Sequence, residues 1–144
     1  MVDADRVLRR LERLEQLLLA LEAARAEGRE ALDGDVRQEL HVEHALQLAI
    51  QSCIDVGAHL VSELGLPTPD DYRQIFEALS KAQLIDAGLA ERLAEAAGLR
   101  NLLVHEYVDI DLDKVWQALG NLEDLRAFAA FAARQAAAGD TRER

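Results

Sequence analysis

The sequence predicts an all-α protein, an up-and-down four-helix bundle with one short accessory helix. Two observations carry this. Half of the 144 residues are apolar while only 4% are aromatic, and the apolar set is dominated by Leu and Ala. These are good helix formers, whereas the β-branched and aromatic residues that favour sheets are sparse. The apolar positions also recur at helical spacing, in segments separated by short clusters of Gly, Pro and Asp. A chain of this length supports one core. Residues 1–138 are therefore expected to form a single helical domain, and 139–144 a disordered tail.

The first helix is placed at 3–30, where Val7, Leu11, Leu14, Leu18 and Leu21 follow a 4-3-4-3 seam. Leu8, Leu17 and Leu19 widen its apolar surface. Arg6, Arg9, Glu12, Arg13 and Glu15 alternate on the other side and read as a solvated, salt-bridged face. Leu32-Asp33-Gly34-Asp35 forms the turn into a second helix at 36–64. Its stripe includes Leu46, Ile50, Cys53, Ile54, Gly57, Leu60 and Val61, with Gly57 marking a close helix–helix approach. Gly65, Pro67 and Pro69 end that helix. The short accessory helix spans 70–82, with Tyr72, Ile75, Phe76 and Leu79 directed inward. A fourth helix starts at the N-cap Asp86 and continues through Leu89, Leu93, Ala96 and Ala97 into Arg100. The break at Val108-Asp109-Ile110-Asp111 leads to a last helix at 112–137, capped by Asp111. There the core stripe is Val115, Leu119, Leu122, Leu125 and Ala129, with Trp116 and Phe128 at its margins.

No apolar run approaches the roughly 18 residues of a membrane span. The start, Met1-Val2-Asp3-Ala4-Asp5, lacks the basic and apolar regions of a secretion signal, and Cys53 has no partner for a disulfide. Cytoplasmic residence is expected. The formal charge of −11, from 16 basic and 27 acidic residues, argues against a general nucleic-acid binder. An RNA ligand would need a local positive patch within a repulsive surface, and a basic protein partner would fit the same charge.

Against this background one segment stands out: Arg100-Asn101-Leu102-Leu103-Val104-His105-Glu106-Tyr107. The chain has only four His and two Tyr, yet one of each follows an Arg within eight residues. On a helical wheel, Arg100 and Tyr107 lie within about 20° of Leu89 and so continue the core-facing stripe. Asn101 and His105, four apart, lie together to one side. An Arg on an apolar stripe is costly unless it is paired or lines a cleft. Two arrangements meet that condition. Arg100 pairs with an acidic residue of another helix while Tyr107 packs or caps the bundle end, or the group lines a polar cleft between helices or across a subunit boundary. An imidazole that titrates near neutrality beside a permanent cation suits phosphate chemistry.

With its Arg-x4-His-x-Tyr pattern, the segment resembles the HepT ribonuclease toxins of the HEPN superfamily. The stretch from Glu43 through Gln51, Asp55 and Gly57 to Leu60, and Pro69-Asp70-Asp71-Tyr72 leading to Phe76 and Leu79, look like the same family. The likeness covers about residues 36 to 130. It implies a homodimer of helical bundles, with motifs from two subunits meeting in a shared, metal-independent endoribonuclease site. It also implies an MntA-like nucleotidyltransferase antitoxin that uses ATP to place AMP on the motif tyrosine. Carried over, Arg100 and His105 would be catalytic, Asn101 supporting and Tyr107 the AMP acceptor, with RNA as the substrate and no cofactor or metal required.

Other chemistries are poorly served. His41 and His44 are three apart, but no further ligands at convincing spacing complete a metal site with Cys53 or His59. There is no Gly-rich phosphate loop and no Gly-x-Ser-x-Gly. Cys53 lies on an apolar stripe, as a buried and inert thiol would. The alternative to the enzyme is a non-catalytic nucleotide- or partner-binding subunit of a nucleotidyltransferase.

Overall fold

The computed structural model of the chain describes residues 3–105 and 109–142. Seven helices occur among these residues: α1 (Ala4–Ala26), α2 (Arg29–Gly34), α3 (Val36–Glu63), α4 (Tyr72–Lys81), α5 (Ala87–His105), α6 (Leu112–Leu119) and α7 (Leu122–Arg142). None of the described residues is in a strand.

Aspartates set most of the helix starts. A short carboxylate just before a helix accepts from an amide of the first turn, which has no partner inside the helix. Asp3 accepts from Arg6 N, Asp35 from Arg37 N, Asp71 from Gln74 N, Asp86 from Leu89 N and Asp111 from Asp113 N. The end of α3 is also as the sequence predicts. Gly65 takes a left-handed φ of 68°, and Leu66 N donates to Val61 O.

Three boundaries differ from expectation. The first helix stops at Ala26 because Gly28 adopts a φ of 94°, which strongly favours glycine, and a separate α2 then occupies the predicted turn. The predicted last helix is divided at Gly120 and Asn121. Beside the division the Arg25 guanidinium stacks 5.7 Å from the Trp116 ring centroid and lies where a Cβ at Gly120 would stand. Asn121 Nδ2 donates to Gln117 O and closes the turn. Finally, α7 runs past 138 to Arg142, so 139–142 are helical, where a disordered tail is expected.

The four long helices α1, α3, α5 and α7 form the bundle, each packed on the next and α7 closing on α1. α4 lies across α3 and α5. Phe128 is completely buried rather than marginal, edge-on to Phe76 with centroids 5.6 Å apart. Gly57 does mark a close approach: a Cβ there would stand 2.8 Å from Ile75 Cγ2, so α4 can lie tight against α3. Leu14, Leu18 and Leu21 enter the core as the seam predicts, whereas Leu8 and Leu19 remain exposed. The charges of α1 act between helices more than along the helix. Arg10 pairs with Asp55 of α3, while Glu15 and Glu22 hold Arg126 of α7.

Candidate functional site

α5 brings Arg100 to the edge of the core. Leu89, Leu93, Ala97 and Leu103 are buried, and Arg100 on the same side is half-buried. Its Nε donates to Gln51 Oε1 of α3 at 2.6 Å, and its Nη1 donates to Asn101 Oδ1 at 3.0 Å. The Tyr72 ring lies alongside, with its centroid 5.3 Å from the guanidinium carbon. This is within reach of the attraction between a cation and an aromatic face.

Every one of these partners is neutral. No carboxylate ion-pairs with Arg100 among the described residues, so the acidic partner considered from the sequence is not found among them. In contrast, Arg10, Arg29, Arg92 and Arg126 each contact at least one carboxylate at 2.9 Å or less. In a chain of net charge −11, a half-buried guanidinium whose partners among the described residues are amides and a ring has the chemistry to receive an external anion.

The other expected site residues divide into three groups. Asn101 is exposed on α5, and its oxygen is committed to Arg100 rather than to an imidazole. His105 is exposed at the last position of α5. Tyr107, expected to be the AMP acceptor, lies outside the described residues.

Two residues of the cluster were not singled out as site residues by the sequence. Tyr72 is expected to point inward but is 37% exposed, because Asp71 starts α4 there and Ile75, Phe76 and Leu79 fill the interface. Gln51 belongs to a polar row of α3, Gln47-Gln51-Asp55-His59, at four-residue spacing. That spacing marks one face of the helix but does not reveal what crosses it. In the structure Gln51 Nε2 donates to Asp55 Oδ1 at 2.8 Å, and Arg10 Nη1 donates to Asp55 Oδ2 at 2.9 Å.

The other candidates fall elsewhere. His41 and His44 are exposed on α3, and no group of three or more His, Cys, Asp or Glu residues is placed to hold a metal among the described residues. Cys53 is fully buried, and burial pushes its thiol up to about 12, which makes it inert at neutral pH. No helix among the described residues is long and apolar enough to cross a membrane.

Comparison with known proteins finds relatives that are named as nucleases. A tRNA nuclease HepT from Aphanizomenon flos-aquae is 40% identical over 82 residues, covering 57% of this chain and 56% of the relative. The chain thus matches little more than half the length of that relative. An mRNA nuclease HepT from Shewanella oneidensis is 34% identical over 84 residues, 58% of this chain and 63% of the relative. The solved structure of a tri-AMPylated Shewanella oneidensis HEPN toxin in complex with its MNT antitoxin superimposes with a TM-score of 0.81 at 26% identity. That superposition covers 91% of this chain and 97% of the toxin. The family model described as HepT-like, Ribonuclease HepT-like, matches residues 7–132. The chain belongs to the Ribonuclease HepT-like family.

Proposed function

We propose that this protein is a metal-independent endoribonuclease toxin of a cytoplasmic toxin–antitoxin pair, acting as a homodimer and silenced by AMP on Tyr107. The observation that carries the reading is Arg100, an oriented cation with no counter-ion among the described residues. RNA supplies its own nucleophile. In the proposed reaction a base removes the 2′-OH proton as that oxygen attacks the adjacent phosphorus. The bond from phosphorus to O5′ breaks, an acid protonates O5′, and a 2′,3′-cyclic phosphate and a 5′-OH result. His105 has the chemistry for either proton transfer, and two copies across a dimer axis divide the roles. Arg100 stabilises the additional charge on the phosphoryl oxygens in the transition state.

Dimerisation gains support from the surface beside Arg100. On α3, Leu40, His44, Gln47 and Gln51 stand in register at 4-3-4 spacing. Val36 and Leu40 at its start are 67% and 60% exposed. A second copy covering this face would bring its own motif toward the first.

The AMPylated toxin in complex with an MNT antitoxin, similar to this chain over nearly its whole length, supports regulation by an MntA-like nucleotidyltransferase. In that step the Tyr107 phenol oxygen attacks the α-phosphorus of ATP and pyrophosphate leaves. The added phosphate brings negative charge to an anion site and repels RNA.

The test is cleavage of total RNA in the presence of EDTA by the full chain and by His105→Ala. The wild type is expected to cut and the variant to lose activity by at least about 100-fold with unchanged helicity and dimerisation. Undiminished cleavage by the variant removes His105 from the mechanism. A wild type that binds its partner but never cuts RNA would instead be the non-catalytic subunit.

A further inference from the structure

We propose that Gln51 is the positioning residue for Arg100, and that Asp55 and Arg10 fix its orientation through a hydrogen-bonded chain running from α1 across α3 to the catalytic arginine. The proposal rests on the ribonuclease reading above but assigns a new role to three residues outside the motif.

The donor and acceptor pattern makes the chain directional. A guanidinium can only donate and a carboxylate can only accept. An amide placed between Arg100 and Asp55 therefore has one productive orientation, with its oxygen toward Arg100 and its nitrogen toward Asp55. Gln51 adopts it, at 2.6 Å to Arg100 Nε and 2.8 Å to Asp55 Oδ1. Asp55 is in turn held from its second oxygen by Arg10 at 2.9 Å. Because Gln51 and Asp55 are four apart on one helix, they lie one above the other and the chain closes without strain.

The position of the contact on Arg100 matters as much as its strength. Gln51 takes the Nε edge and Asn101 takes one Nη1 proton, while Tyr72 lies against the guanidinium. Nη2 has no hydrogen-bond partner among the described residues and remains for a phosphate. A glutamate at position 51 would accept the same bond, but it would neutralise the cation and oppose Asp55. The neutral amide holds Arg100 without discharging it, which separates orientation from charge.

The experiment uses the full chain, with steady-state RNA cleavage and the NMR signal of the Arg100 Nε–H group as independent readouts. Gln51→Met is nearly isosteric and has no comparable acceptor. It is expected to lower kcat by about 10- to 100-fold with KM changed far less, and to speed solvent exchange of the Nε–H signal. Asp55→Asn is expected to show a smaller loss of the same kind, and adding it to Gln51→Met to cost nothing further. The pair Gln51→Glu with Asp55→Asn restores the donor and acceptor order, so the Nε–H protection returns while kcat stays low. If Gln51→Met retains wild-type kcat and Nε–H protection, or if the restored pair is fully active, the proposal is overturned. If the wild type does not cleave RNA, the ribonuclease reading fails by itself. The exchange measurement then still decides the hold: faster exchange in Gln51→Met upholds it, and unchanged exchange overturns it.

Discussion

Arg126 and Arg100 are both partly buried arginines at helix crossings, and they are held in opposite ways. Arg126 on α7 donates to Glu22 from Nε and Nη2 and to Glu15 from Nη1, all at 3.2 Å or less. These bonds, Glu22 first and then Glu15, raise its pKa further above the usual arginine value. The cation is neutralised and its donors serve to join α1 to α7. Arg100 on α5 receives two amide oxygens and an aromatic ring and, among the described residues, no carboxylate. The same side chain thus acts as a staple where acids surround it and, in the function proposed above, as an anion receptor where neutral acceptors do. The identity of the acceptors, more than burial, separates scaffold from site.

The largest expected effect breaks the site half of this comparison. Arg100→Ala should reduce RNA cleavage by roughly 10²- to 10³-fold, as removal of a donor to developing charge does elsewhere. Its Tm should stay close to that of the wild type, because the lost bonds are few and lie at the edge of the core. Arg100→Lys retains the charge but loses the planar fork, and should recover only part of the rate. Cleavage within a few-fold of wild type for Arg100→Ala would end the assignment.

Gly57→Ala asks whether scaffold and site can be separated at all. Alanine improves helix propensity by about 1 kcal/mol, but its Cβ would stand 2.8 Å from the branch methyl of Ile75. Overpacking of this kind costs about 1–3 kcal/mol, so a net loss of about 1 kcal/mol is expected in urea unfolding. Pushing α4 outward also shifts Tyr72, three residues before Ile75, relative to Arg100. A parallel drop in kcat is therefore expected, and unchanged stability with unchanged kcat would show that the contact relaxes at no cost.

Arg126→Ala should cost about 1 kcal/mol, the sum of partly exposed ion pairs, and leave cleavage per folded molecule unchanged. Salt should shrink the difference between this variant and the wild type. A loss of cleavage comparable to that of Arg100→Ala, with the fold intact, would show that the two arginines do not differ in role.

The sequence made one side of this comparison legible and hid the other. Asp86 and Asp111 announce helix starts because a cap is a local event, settled within three residues. Gly65 with the prolines behind it announces an end for the same reason. Arg100 could be recognised as anomalous because helical periodicity put a cation among Leu89, Leu93 and Ala97. What answers that anomaly was not visible. Gln51 lies 49 positions away, and within its own helix it reads as one more solvated polar residue. The break at Gly120 is likewise not legible locally, since the side chain that fills the space beside it, Arg25, comes from a different helix. Tyr72 was assigned inward because an aromatic at helical spacing usually is, yet its place at the first turn of α4 leaves it at the surface beside Arg100.

The smallest effect sharpens the rule about neutralisation by applying it to an acid. Glu43 on α3 is buried, with no cation paired to it among the described residues. Burial, and then repulsion from Glu39, raises its pKa above the usual 4.5. A carboxyl whose folded pKa exceeds its unfolded one binds more protons in the native state between those two values. Stability is therefore lost as pH rises through that window, and the penalty is complete above the folded pKa. Glu43→Gln removes the ionisation, so its Tm should exceed that of the wild type at neutral pH, with the gain fading as pH falls through that window and gone below the unfolded value. A gain that persists in acid would assign the effect to packing. No gain at all would mean that Glu43 reaches solvent with its charge, and burial without a counter-ion would then carry no penalty at this position.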